Sequence, residues 1–139
     1  MRLAIYFIGK PRDKHANAIA AEFVKRTSRW ARIEMREIHP DRFDPWEKHP
    51  AAAKILCDPA GKPLDTTQFA ATIERLENES REAVFVIGGH DGLPAAWKPR
   101  ADLLVSLSAM TFPHELARAM LAEQIYRAFT ILRGHPYPR

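Results

Sequence analysis

The stretch "VFVIGGHDGLP", residues 84–94, runs from an unbroken apolar segment straight into two adjacent glycines, with a third glycine at position 92. Ala83–Ile87 has the length and content of a strand covered on both faces, as the strands of a parallel sheet are. A double glycine directly after such a strand serves either a tight turn or the close approach of backbone to a ligand. The pattern is neither G-x-G-x-x-G nor G-x-x-x-x-G-K-[ST], and Pro94 removes an N–H where an anion site would use one. A dinucleotide or triphosphate site is therefore disfavoured.

Working outward, Leu3–Gly9 is another short apolar run, and Asp13 can cap a helix whose Ala16, Ile19, Ala20, Phe23, Val24 and Trp30 recur at helical spacing. Residues 32–39 alternate partly and suit an outer strand, and the Pro- and Asp-rich stretch 40–50 suits a loop. Lys54–Asp58 reads as a short strand ending in a turn over residues 59–63. Asp65 or Thr66 opens a helix with Phe69, Ile73 and Leu76 on one stripe. Asp102–Leu107 is a further strand, and the last helix runs from Pro113, at its first position, to a stop at Gly134. Strands alternating with helices predict an α/β fold with a mostly parallel sheet. In such sheets ligands bind beyond the carboxyl ends of the strands, where Cys57–Asp58, Gly88–Gly89 and Leu107–Ser108 fall.

The chain of 139 residues fits a single domain, and its 46% apolar and 27% charged content supports one core. The N-terminal apolar run is too short for a signal peptide or a membrane span, and a lone cysteine cannot form an internal disulfide, so a cytoplasmic protein is expected. The net charge of +4 is unevenly spread: residues 1–32 hold eight Lys/Arg against two acids, residues 33–97 seven against twelve, and residues 98–139 six against three. Basic ends suit an anionic partner, and ordinary solvated faces account for the same counts. The six histidines include no pair at ligand spacing and Cys57 has no cysteine partner, so no metal is expected. A G-x-S-x-G elbow is absent; Ser106 and Ser108 read as caps, and Cys57 as a small buried residue.

The segments "FVIGGHDGL", "DPAGKPLDTTQFA" and "LVSLSAMTFPHELARAMLAEQIYRAFTILRGHPYPR" together resemble the RlmH family. These are small SPOUT-superfamily methyltransferases that modify N3 of a pseudouridine in the 23S ribosomal RNA of the large subunit. The likeness is dense over roughly residues 55–139, and "LAIYFIGKPRD" fits as well. It implies one SPOUT domain over residues 1–139, a trefoil knot near the C-terminus, and a homodimer acting on the large-subunit RNA, either naked or within the assembled ribosome. It also implies S-adenosyl-L-methionine bound by Cys57, Gly88, Gly89, Leu107, Ser108, Ala109, Met110, Thr111 and Phe112, the glycines leaving room for the adenosine. Cys57 stands where the family often has leucine, "GGHDG" where "GGPEG" is common, and the segment 40–53 is shorter than usual.

Loss of the imide proton during methyl transfer calls for a base or an anion-stabilising group. His114, Glu123, His135 and Tyr137 are the candidates, although Glu123 equally suits a structural pair with Arg127. The tail Arg133–Arg139 joins cations to a stackable ring, so His135, Tyr137 and Arg139 suit RNA contact. The resemblance implies that one subunit lends this tail to the other's cofactor site; lying beyond the Gly134 helix stop, the tail is expected to contribute little core and to reach outward. Ala117, Ala119, Ala122 and Ala128 on the last helix would let a partner helix approach closely. A non-catalytic RNA-binding or ribosome-assembly protein is the alternative.

Overall fold

The computed structural model describes residues 1–138; Arg139, one of the expected substrate contacts, lies outside the described residues. Five strands, β1 (Arg2–Ile8), β2 (Arg32–Ile38), β3 (Ala53–Pro63), β4 (Ala83–Ile87) and β5 (Leu103–Ser106), form one sheet in the order β2-β1-β4-β3-β5. Every pairing is parallel. The four helices are α1 (Lys14–Thr27), α2 (Pro45–Lys48), α3 (Thr66–Asn78) and α4 (His114–Leu132), with a 3₁₀ segment at Ala95–Arg100.

The alternation of side chains along each strand builds a core on both faces of the sheet. Leu3, Ile5, Phe7, Ile55, Phe85 and Ile87 share one face with buried residues of α3 and α4 such as Phe69, Ile73, Leu121, Ile125 and Phe129. Ala4, Tyr6, Leu56, Val84 and Val86 share the other with Leu93 and Trp97. The caps follow their local chemistry. The Asp13 carboxylate accepts the N–H groups of His15 and Ala16. Asp65 and Gln68 close a reciprocal capping box on α3. Pro113 stands just outside α4 as its cap rather than at the first helical position, and Gly134 follows the helix end at φ +67.

Two expectations need correction. The stretch 40–50 is not all loop: Asp44 accepts the N–H groups of Trp46 and Glu47, and Pro45 starts the short helix α2. Residues 59–63 are not a simple turn after β3 either. Val105 of β5 faces both Cys57 and Lys62, so the intervening residues bulge out of a longer strand that then rejoins its partner. Gly61 makes that return possible: a Cβ there would stand 2.6 Å from the carbonyl carbon of Val105. Gly61→Ala is expected to cost ~1–3 kcal/mol through forced backbone displacement, read from urea unfolding. An unchanged midpoint would contradict the close approach.

Candidate functional site

Cys57, Ile87 and Ser106 close the paired runs of β3, β4 and β5 on one rim of the sheet. The segments that follow open into a cleft of about 250 Å³. It is bordered by Cys57, Asp58, Gly88, Gly89, His90, Leu107, Ser108, Met110, Thr111, Phe112 and His114, among others. Of the positions expected to hold a cofactor, Ala109 alone stands outside the lining. Ser108 steadies the segment 107–112: its Oγ accepts the Met110 N–H at 2.9 Å, and Ser106 Oγ donates to its carbonyl at 2.8 Å.

The double glycine is explained by the protein's own backbone. A Cβ on Gly88 would lie 2.5 Å from the carbonyl carbon of Gly92, and one on Gly89 would lie 2.4 Å from the carbonyl oxygen of Ile8. Gly92 donates its N–H back to Gly89 at 3.0 Å, closing the turn. The room these residues make is therefore for the turn and for the end of β1; the cleft borders on the result. A branched side chain at Gly88 would disturb the turn before it filled a ligand site.

Cys57 is buried, and burial first, with Asp58 beside it, pushes its thiol up to about 12. It is a wall residue, not a nucleophile. Asp58 is the one carboxylate bordering the cleft among the described residues. Burial pushes its pKa up, but the Lys98 ammonium at 2.9 Å and the Ala60 N–H outweigh it, and the carboxyl stays below its ordinary value. His114 opens α4 directly on the cleft.

Glu123, His135 and Tyr137 gather elsewhere. Glu123 lies nine residues beyond His114, about 14 Å along α4 and half a turn out of phase, hence on the opposite face. Its carboxylate accepts from Arg127 at 2.6 Å and from the Tyr137 hydroxyl at 2.8 Å, so the pairing with Arg127 is present. Burial, then the bond to Glu123, raises the Tyr137 pKa. The tail does not simply reach outward. The Tyr137 ring packs edge-on against Tyr126 at 4.6 Å, His135 packs edge-on against Trp30, and Arg127 donates to the Pro138 carbonyl. Ala119, Ala122 and Ala128 are buried in this chain's own core. The exposed apolar side chains of α4 are instead Leu116, Met120 and Ile131.

Asp58 falls on the cleft as its strand-end position predicts, whereas His90 and the polar core beneath go beyond the expected site. Arg118 is fully buried and donates to the Ile8 carbonyl at 2.8 Å and to Gly9 at 3.1 Å, with its guanidinium 4.2 Å from the Phe7 ring centroid. Glu115 accepts the N–H groups of Arg12 and Asp13. One signal was available: Arg118 occupies the same helical stripe as Leu121, Ala122 and Ile125, where a charge needs a partner. Among the described residues no helix is long and apolar enough to cross a membrane, and no cluster of three metal-binding side chains occurs.

The α/β fold is shared with solved methyltransferase structures. A probable methyltransferase from Bordetella pertussis superposes at a TM-score of 0.64 with 14% identity, over 91% of this chain and 93% of that one. The SpoU methyltransferase AviRb from Streptomyces viridochromogenes, solved with the cofactor AdoMet, superposes at 0.55 with 13% identity, over 94% of this chain and 61% of that one. Residues 1–138 match the family described as "Predicted SPOUT methyltransferase", and the chain belongs to that family. It is 67% identical to the ribosomal RNA large subunit methyltransferase H of Solibacter usitatus, over the full length of both.

Burial of Cys57 has a direct consequence. At pH 8 a pKa of about 12 leaves about one thiolate in ten thousand. The native protein is expected to resist a disulfide-exchange reagent at that pH and to react fully in denaturant. Rapid reaction of the folded protein would contradict the placement.

Proposed function

We propose that this protein is an S-adenosyl-L-methionine-dependent methyltransferase that modifies N3 of a pseudouridine in the 23S RNA of the large ribosomal subunit. In this reading it is a single SPOUT domain over residues 1–139, knotted near its C-terminus, working as a cytoplasmic homodimer on the assembled ribosome. The observation that carries the reading is the cleft at the carboxyl ends of β3, β4 and β5. Family membership and the names borne by close relatives support the same chemistry.

The lining fits the cofactor. Cys57, Ile87, Leu107 and Phe112 offer apolar walls to a purine, and Asp58, paired with Lys98, sets a polar group beside them. The bound cofactor would supply a methyl group activated by the positive sulfur. The chain's task is to hold the acceptor nitrogen in line with that methyl and exclude water. The N3–H proton must leave as the new C–N bond forms, and in this reading His114, which borders the cleft with His90, takes it.

His135 and Tyr137 enter from a second chain. In one chain the tail is anchored to Glu123, on the far face of α4 from His114. A dimer packed through the exposed Ile19 of α1 with Leu116 and Met120 of α4 would bury apolar surface and bring one tail to the other cleft. Arg139 would join His135 and Tyr137 on the RNA.

Two expected outcomes follow. Thr111 is exposed on the cleft edge, so Thr111→Trp should fill the site without loading the core. Calorimetry with S-adenosylhomocysteine should show affinity lowered ~10-fold or more, at an unfolding free energy within about 0.5 kcal/mol of the parent. Unchanged affinity would move the cofactor elsewhere. Second, Tyr137→Ala and Thr111→Trp should each lose methylation of large-subunit RNA when alone. Mixed and re-equilibrated, they should regain part of it, because one site of each mixed dimer combines an intact cleft with an intact tail. No recovery would place the tail in its own subunit's site.

A further inference from the structure

Beside the cofactor cleft lies a second, open cleft of about 820 Å³, bordered by Gly9, Lys10, Arg12, His90, His114 and Glu115 among others. His90 and His114 border both clefts, so the two share a wall. We propose that this second cleft is a phosphodiester subsite for the RNA strand, in which Lys10 and Arg12 hold a backbone phosphate next to the target nucleotide. The assignment rests on the methyltransferase reading above and gives its substrate an entry path.

Three observations carry it. Lys10 and Arg12 are exposed and form no ion pair among the described residues, so their charges are available to a partner. The two carboxylates that also border this cleft, Asp13 and Glu115, keep their charge but are bonded to N–H donors rather than to Lys10 or Arg12. Asp13 caps α1 through the His15 and Ala16 N–H groups, and Glu115 accepts from the N–H groups of Arg12 and Asp13 and from the Asn17 amide. Behind the wall, the Arg118 guanidinium is fully buried and bonds the Gly9 carbonyl, while its Nε and Nη1 have no hydrogen-bond partner among the described residues. Its nearest carboxylate oxygen, on Glu115, is 3.9 Å from Nη1, leaving a cation only loosely compensated under the cleft floor. Lys10, Arg12 and the buried Arg118 set three cations against the two carboxylates Asp13 and Glu115, a net positive charge that suits a phosphate more than a neutral group. A phosphate seated there would leave its neighbouring base beside His114, at the mouth of the cofactor cleft.

The test is the double variant Lys10→Gln, Arg12→Gln in the full chain, with Lys25→Gln, an exposed cation at the far end of α1, as control. Binding to ribosomes from a strain lacking the modification is measured across a series of salt concentrations, alongside S-adenosylhomocysteine affinity and sedimentation. The double variant should bind the particle ~10-fold or more weakly and lower the slope of log affinity against log salt by about 1–2, while the control keeps the parental slope. Cofactor affinity and sedimentation should stay parental. An unchanged slope overturns the subsite while leaving the methyltransferase reading intact. Loss of dimer mass instead would assign the cleft to a protein partner. A parent protein that binds neither ribosomes nor S-adenosylhomocysteine would overturn both.

Discussion

The structure depends on backbone meeting backbone at contact distance along one rim of the sheet. β3 returns to β5 at Gly61, and the turn after β4 presses its own glycines against Gly92 and against the end of β1. A methyl group at any of these points would have to occupy space already filled by main-chain atoms, which cannot move aside as a flexible side chain can. The rim is consequently stiff, and the cleft it borders is shaped by chain geometry more than by side-chain packing. Residues such as Thr111 and Met110 can then vary at its edge without redefining it.

α4 couples this rim to the rest of the molecule. Its first turn places His114 on the cleft, its buried stripe sends Arg118 into the end of β1, and its second half carries Glu123 and Arg127 as an anchor for the tail. Arg118 and Glu115 act as a clasp between elements far apart in sequence: one reaches the last residues of β1, the other the N–H groups before α1. Such a buried polar link contributes little net energy, but it fixes register, since any slip would strand charges in the core.

Much of this was legible in the sequence. The apolar runs gave four strands on the right segments, and the capping residues Asp13 and Asp65 placed two helix starts. The strand-end rule brings Cys57, Gly88 and Leu107 to one rim, and all three border the cleft. What escaped notice was non-local. Nothing near residues 59–63 signals that β5 lies 2.6 Å from where a side chain on Gly61 would begin, so a bulge passed for a turn. Helix α2 was hidden because Pro45 reads as a breaker until Asp44 is recognised as its cap. The alanines of α4 looked like a helix-docking surface because one helix alone does not reveal which of its faces its own sheet will claim.

The strand order sets a timetable as well as an architecture. β4 lies between β1 and β3, yet it follows both in the chain, so these two strands have nothing to pair with each other while β4 is still being made. The core on the helix side waits longer still, for α4 at the extreme C-terminal side. During synthesis the first eighty or so residues therefore emerge as apolar strands with open edges, the state in which pairing errors and aggregation compete with folding. Cooperative closure arrives only when nearly the whole chain is free of the ribosome, and long-range parallel pairing makes it slow. In the proposed reading, a protein whose substrate is the ribosome acquires its site only after leaving the one that made it.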